Sequence, residues 1–153
     1  MPLSSEPGKL TVMLQAAGWG VVAAMAMSGM RTLTTELGLV GETPPEAMAR
    51  QAASGLLQQI PPGKRGAVVE LSHWGFGAVG GLLFGVLPRW LRRRNWVGPG
   101  YGLLLWLGFE AGLAPALGLS LAKATRPVER AAFAADHMLY GLVLAKALER
   151  RDT

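Results

Sequence analysis

The sequence predicts an all-α membrane protein with four transmembrane helices, and three observations lead to that prediction. Half of the 153 residues are hydrophobic, and the mean hydropathy is +0.29. The basic residues give a net charge of +5 but lie between apolar stretches, a pattern typical of membrane topology and not of a nucleic-acid-binding face. The apolar residues collect into four runs, at about residues 10–30, 66–87, 100–121 and 131–148, and a spanning helix needs roughly 20 such residues.

The first run, residues 10–30, contains no charged side chain. Lys9 precedes it and Ala24-Met25-Ala26 lies near its end, which together resemble a secretory signal. The apolar stretch is longer than the ~7–15 residues of a signal core. We therefore expect a retained transmembrane helix here.

The loop between the first two runs predicts a helix of its own over about residues 44–60. Thr43-Pro44-Pro45-Glu46 has the spacing of a capping box with proline in the first turn. Apolar residues then recur every fourth position, at Met48, Ala52, Leu56 and Ile60. We expect this amphipathic helix to cover one end of the bundle, as a connector or as a lid over a substrate site.

The later runs are each marked by proline or by ionisable residues. The second ends at Pro88. The third contains Pro115, which should kink the helix and free a carbonyl group just past Glu110. The fourth is shorter and includes Asp136 and His137, and its likeness to the second run supports a fourth span.

The charges predict which side of the membrane each end occupies. Arg89 and Arg92–Arg94 crowd the link between the second and third runs, so that link should be cytoplasmic. Both termini then also lie in the cytoplasm of a bacterial cell, with the protein in the inner membrane. The same topology leaves several basic residues outside: Arg31, Arg50, Lys64, Arg65, Lys123, Arg126 and Arg130.

The second and fourth runs share the phrase His-x-x-aromatic-Gly, which uses both histidines of the chain. It reads His73-Trp74-Gly75-Phe76-Gly77 in one and His137-Met138-Leu139-Tyr140-Gly141 in the other. One helix separates the two runs, so both copies point the same way through the membrane. This pattern favours two helical hairpins related by an axis along the membrane normal, as in transporters with parallel repeats.

Small residues predict where the helices pack closely. Gly77, Gly81 and Gly85 follow one another at four-residue spacing in the second run. Small residues at this spacing let helix backbones approach within a membrane. We expect these glycines to form a helix–helix contact.

Ionisable residues within apolar runs predict a buried polar site, since such groups are costly in a membrane. Both histidines should lie roughly 10 Å below the outer boundary, with Glu110 nearer the middle of the membrane. Glu70 shares a helix face with His73, as Asp136 does with Tyr140. We expect six side chains to converge there: Glu70, His73, Glu110, Asp136, His137 and Tyr140.

Three chemistries fit this cluster. Histidine beside carboxylate serves polar packing or proton transfer. Glu70, His73 and His137 are candidate metal ligands, because Glu-x-x-His occurs in four-helix di-metal sites. His73 and His137 could ligate haem, although the nearby acids disfavour that. The chain has no cysteine, nucleophile motif, phosphate loop or dinucleotide fingerprint, so we expect no catalytic residues and no cofactor.

Three motifs resemble the YagU-like family of small bacterial inner-membrane proteins. They are His73-Trp74-Gly75-Phe76-Gly77, Tyr101-Gly102-Leu103-Leu104-Leu105-Trp106-Leu107-Gly108 and His137-Met138-Leu139-Tyr140-Gly141, within about residues 66–147. The resemblance implies a multi-helix inner-membrane protein without an assigned activity. It supplies no catalytic residues.

The sequence thus predicts a small inner-membrane protein acting in transport or proton-linked homeostasis. A metal- or haem-binding redox protein and a non-catalytic accessory subunit are the alternatives. The expected partners are the lipid bilayer and either a second copy or a larger membrane complex, with no nucleic acid. A bundle of four short helices is small for a solute path, which favours self-association.

Overall fold

The computed structural model describes residues 8–41, 54–116 and 126–150, and all regular structure in these ranges is helical. Within these ranges, three helices are long and apolar enough to cross a membrane: Lys9–Glu36, Pro62–Val86 and Pro127–Glu149. The helices are α1 (Lys9–Glu36), α2 (Ser54–Gln58), α3 (Pro62–Val86), α4 (Arg89–Arg92), α5 (Val97–Gly108) and α6 (Pro127–Glu149). The predicted helical class is confirmed for the described residues.

The long helices extend beyond the apolar runs that predicted them. α1 continues to Glu36, past the predicted end at residue 30. α3 and α6 each begin with proline in the first turn, where its missing N–H leaves no hydrogen bond unmade. Most of the predicted loop helix lies outside the described residues. Its described part is α2, Ser54–Gln58, which ends before Pro61.

The third apolar run is a helix that changes its geometry along its length. α5 continues as a π-helical turn over Phe109–Leu113 and then as Ala114–Ala116. Pro115 has no N–H, and its ring would crowd the carbonyl of Ala111 in a regular α-helix. A wider turn makes room for the ring, so the predicted kink takes the form of a π-helical turn. Residues 117–121 of the predicted span lie outside the described ranges.

α1 and α3 form an antiparallel hairpin through their glycines. Gly20 packs against Gly77 and Gly81, and Gly85 packs against Met13 and Ala16. A Cβ at Gly77 would lie 2.5 Å from the Cβ of Ala24, so only glycine fits this separation. These contacts bring the two backbones together along much of their length.

α5 and α6 form a second antiparallel hairpin of the same kind. A Cβ on Gly98 would lie 2.6 Å from the carbonyl oxygen of Gly141 and 2.7 Å from Ala145. A Cβ on Gly102 would overlap the carbonyl of His137. Glycine therefore sets the distance between the helices in both hairpins.

Two tyrosines connect the hairpins by donating hydrogen bonds to carbonyl groups of α3. The Tyr101 hydroxyl donates to the Gly80 carbonyl oxygen at 2.6 Å, and the Tyr140 hydroxyl donates to Gly77 at 2.6 Å. The Tyr101 ring also meets the fully buried Phe84 edge-on, with centroids 5.1 Å apart. α3 and α6 consequently run in the same direction, as the sequence predicted for the two helices that carry histidine.

The basic link between the hairpins includes one arginine with a structural role. Arg92 is buried, and its Nη1 donates to the carbonyl oxygens of Gly85 and Leu87, each at 2.9 Å. Those carbonyls lie where α3 ends and would otherwise lack helical partners. A cation at a helix C-terminus is also favoured by the helix dipole.

Candidate functional site

A cavity of about 670 Å³ lies among the helices, within the roughly 300–1,000 Å³ typical of small-molecule pockets. Its walls are mostly apolar and come chiefly from α3, with the remainder from α1, α5 and its continuation, α6 and the segment before α3. Its polar lining includes Arg31 of α1, Ser72 and His73 of α3, and Asp136, His137 and Tyr140 of α6. Four of the six predicted site residues therefore meet at one cavity.

The two histidines occupy matching positions in their helices. His73 and His137 lie eleven and ten residues from the first residues of α3 and α6, which places both about 15 Å along their helices. The first residue of a helix is not a membrane boundary, so the depth of roughly 10 Å stays a prediction. The matching positions of the two histidines along their helices are the observed part of it.

The hydrogen bonds of the two rings differ. The Nδ1 atom of His137 is 2.8 Å from the Phe133 carbonyl oxygen. A carbonyl only accepts, so Nδ1 carries hydrogen and Nε2 of a neutral ring is left as an acceptor. The Nε2 atom of His73 is buried and has no hydrogen-bond partner among the described residues.

Asp136 is the most isolated ionisable group of the site. Its side chain lines the cavity, the residue is only 3% exposed, and Oδ1 has no hydrogen-bond partner within the described part of the chain. Burying a carboxyl group without a partner costs roughly 1–3 kcal/mol, and more if it is charged. A group kept at that cost in an apolar helix is a candidate for function.

Arg31 belongs to the site, although its sequence pattern did not single it out as a site residue. It is 6% exposed, and its Nη2 forms a 2.8 Å ion pair with Oε1 of Glu70. The sequence did contain a sign of this position. Ala24, Met27 and Arg31 follow one another at helical spacing on the buried face of α1, so Arg31 continues an inward-facing stripe.

Glu70 faces α1 and not the cavity. The hydroxyl of Ser28 donates to Oε2 of Glu70 at 2.6 Å and accepts from Nη2 of Arg31 at 2.9 Å. The indole Nε1 of Trp74 donates to the same hydroxyl at 3.3 Å. Both carboxylate oxygens of Glu70 thus have partners, and Glu70 acts as the counter-ion of Arg31.

Glu110 also lies outside the cavity lining. Its Oε1 is 2.7 Å from Nη2 of Arg130, which belongs to the first turn of α6. Glu110 is therefore paired with the beginning of α6, and its place near the middle of the membrane stays a prediction. The reason is the antiparallel contact of α5 and α6, which brings the helical continuation of α5 to the first turn of α6.

Tyr140 lines the cavity, but its hydroxyl donates its hydrogen bond to the Gly77 carbonyl. It joins the two hairpins, and its ring forms part of the wall. We assign it a structural role.

The charges around the cavity do not balance when Asp136 is ionised. The guanidinium of Arg31 faces two carboxyl groups, Glu70 and Asp136, and it is paired directly with Glu70. Glu110 and Arg130 neutralise each other. With neutral histidines, one negative charge is left over at Asp136, and a proton or another cation can compensate it.

The predicted metal ligands are not gathered into one site. Among the residues that the structure describes, no group of three His, Asp or Glu side chains is placed to hold a metal ion. Glu70 is already bonded to Arg31 and Ser28. The His73 and His137 rings line the same cavity, but the Asp136 carboxyl lines it too. Haem needs apolar surroundings, so this carboxyl disfavours haem binding.

Comparison with known proteins does not add to this geometry: no family model, curated protein or solved structure matches the chain. The resemblance to YagU-like proteins stays a prediction from three motifs. Several residues of those motifs lie at helix contacts, including Gly77, Gly102 and Gly141.

Proposed function

We propose that this chain is a four-span bacterial inner-membrane protein that transports a small molecule in exchange for protons at Asp136. The observation that carries the proposal is the Asp136 carboxyl, buried without a partner for Oδ1 among the described residues, in a cavity of about 670 Å³. Exchange at one carboxyl needs a group that holds either a proton or a substrate, and Asp136 is free of ion-pair partners within the same described ranges.

A fourth span is supported by the continuous helix over residues 97–116. Its 20 residues correspond to about 30 Å at 1.5 Å per residue, the thickness of a bilayer core. It packs along α6 through Gly98 and Gly102, so its axis follows that of a helix of spanning length.

Orientation with both termini in the cytoplasm is supported by charge. The arginines at 89 and 92–94 follow α3, on the side where α1 begins and α6 ends. Four arginines in one short link favour the cytoplasmic side for that link.

A pseudo-repeat of two hairpins is supported by the glycine that ends each histidine phrase. Gly77 packs against Gly20 in the first hairpin, and Gly141 packs against Gly98 and Gly102 in the second. The same position of the phrase thus makes the same kind of contact in each hairpin. A binding site at the interface of two repeats is the arrangement found in many transporters.

The remaining polar groups give Asp136 the surroundings that proton exchange requires. The Arg31–Glu70 pair is a fixed, neutral unit beside it. His73 and His137 line the same cavity and can accept or pass on a proton. Asp136 is then the group whose charge changes during a transport cycle.

Uptake into liposomes tests the proposal. The purified protein is reconstituted, a proton gradient is imposed, and the liposomes are incubated with a bacterial metabolite extract and analysed by mass spectrometry. We expect at least one compound to accumulate several-fold over protein-free liposomes, and Asp136→Asn to abolish its accumulation.

Glu149→Gln is the matched control, because Glu149 lies on the same helix but pairs with Lys146 at the exposed end. It should leave accumulation unchanged. Absence of any accumulating compound, or equal accumulation by Asp136→Asn, would contradict proton-linked transport.

A further inference from the structure

The cavity opens sideways between α3 and α5. Phe76, Val79 and Leu83 of α3 and Leu104 of α5 line it, yet each is more than half exposed. Side chains that both line a cavity and face outwards form its rim. In a membrane this rim meets lipid hydrocarbon, so a molecule dissolved in the bilayer can enter directly.

One end of the opening is closed. The Tyr101 hydroxyl donates to the Gly80 carbonyl at 2.6 Å, and the Tyr101 ring packs on Phe84. Both contacts lie in the second half of α3, near the basic link. Towards the start of α3 the lining continues with Leu57, Ile60, Val68 and Val69.

The polar end of the cavity is one positive charge short when Asp136 is ionised. The titratable groups that line this end with Asp136 are Arg31 on α1, His73 on α3, and His137 and Tyr140 on α6. Three further charged groups lie just outside the lining: Glu70 on α3, Glu110 on the continuation of α5, and Arg130 on α6. Arg31 pairs with Glu70, and Arg130 pairs with Glu110. The Asp136 carboxylate is the acid left without an ion pair in this set.

The walls favour an organic cation over a metal ion. A small metal ion would need several oxygen or nitrogen ligands to replace its water, and the described residues offer no such group. Aromatic rings line the cavity instead, from Phe76, Phe109, Phe133 and Tyr140. The face of an aromatic ring attracts a cation by about 0.5–2 kcal/mol, most strongly when water is absent.

We propose that this cavity binds a lipophilic organic cation that enters from the bilayer between α3 and α5 and replaces the proton on Asp136. The inference rests on the proposed transport function, because it names the substrate class of the same site. Binding and proton release are coupled one to one, since one positive charge takes the place of another.

Two probes of the same shape and opposite charge test this inference. The protein is placed in lipid nanodiscs, and saturable binding of tetraphenylphosphonium and of tetraphenylborate is measured against empty nanodiscs. We expect the phosphonium to bind and the borate not to. Phosphonium affinity should fall as the pH is lowered, because protons then compete for Asp136.

Variants locate the binding. Asp136→Asn should weaken phosphonium binding at least tenfold. Asp136→Glu should retain binding, which would show that the site still folds when residue 136 is replaced and that the carboxyl group is what binding requires. Glu149→Gln should bind like the unaltered protein. Equal binding of phosphonium and borate, or full binding by Asp136→Asn, would overturn the proposed site.

The outcomes also separate this inference from the transport proposal. Phosphonium binding at Asp136 without proton-driven accumulation of any compound would refute transport and keep the ligand class. Proton-driven accumulation with no phosphonium binding would refute the ligand class and keep transport. A dimer closed over the α3–α5 rim that excludes phosphonium would overturn the proposal in favour of a second copy at this face.

Discussion

The contacts of Arg31 give this residue a different role from the one that its position in the sequence suggests. By position it follows the first apolar run, where a basic residue typically anchors a helix at the membrane surface. In the structure it is buried against Glu70 and Ser28 and faces the cavity. It is therefore the fixed positive charge of the site, while Asp136 is the carboxyl without a fixed partner among the described residues.

Removing one member of the Arg31–Glu70 pair should destabilise the protein. Arg31→Ala leaves the Glu70 carboxylate unpaired, and we expect a loss of about 1–3 kcal/mol in the free energy of unfolding. The Glu70 side chain is 40% exposed, which keeps the loss below that of a fully buried pair. Unfolding by sodium dodecyl sulfate, followed by tryptophan fluorescence, measures it.

The exposed pair of Lys146 and Glu149 provides the comparison for that experiment. Its members are 54% and 40% exposed, and ion pairs between solvent-exposed side chains contribute little to stability. Lys146→Ala should therefore have a smaller effect than Arg31→Ala. Equal losses would show that the Arg31 pair is no more than a surface contact.

At the scale of the helices, glycine position determines packing. Gly75 and Gly77 are two residues apart on α3 and differ completely in their surroundings. A Cβ at Gly75 would meet nothing within 4 Å, whereas one at Gly77 would lie 2.5 Å from Ala24 and 2.7 Å from the Gly20 carbonyl oxygen. Of these two glycines, only Gly77 holds the α1–α3 hairpin together.

Alanine at these two positions should therefore have opposite effects. Gly77→Ala should destabilise the protein by about 1–3 kcal/mol, because the helices must separate to admit the methyl group. Gly75→Ala should be neutral or stabilise by about 0.5–1 kcal/mol, because alanine is the better helix former. Detergent-induced unfolding distinguishes them, and destabilisation by both would refute the assigned contact.

At the scale of the whole molecule, the ion pairs and tyrosine contacts orient two hairpins in the same direction. This topology predicts that the beginnings of α3 and α6 share one side of the membrane, with the basic link on the other. The chain has no cysteine, so single cysteines can report on each side. The relevant positions are Lys64, Asn95 and Val128, all of which are exposed.

A membrane-impermeant maleimide tests the four-span topology in spheroplasts. Lys64→Cys and Val128→Cys should be labelled in intact spheroplasts, and Asn95→Cys only after permeabilisation. If α5 lay on the membrane surface instead of crossing it, Val128→Cys would become accessible together with Asn95→Cys. That result would reduce the protein to three spans.

The cavity itself could be predicted only in part. Asp136, His73, His137 and Tyr140 stand out in the sequence because polar groups are rare in apolar runs, and all four line the cavity. Glu70 and Glu110 stand out for the same reason but pair with arginines outside the lining or at its edge. Helix spacing indicates which residues share a face, but not which neighbouring helix that face meets.

The helices and the chemical nature of the polar residues follow from the amino-acid order, because apolar run length, proline position and residue type act locally. The partners of the acids follow from the fold. Glu70 and Glu110 are ion-paired because α1 and α6 bring Arg31 and Arg130 to them, while Asp136 has no such cation among the described residues that surround the cavity. A carboxyl group becomes a candidate exchange site through the absence of a paired cation, and that absence depends on how the helices pack.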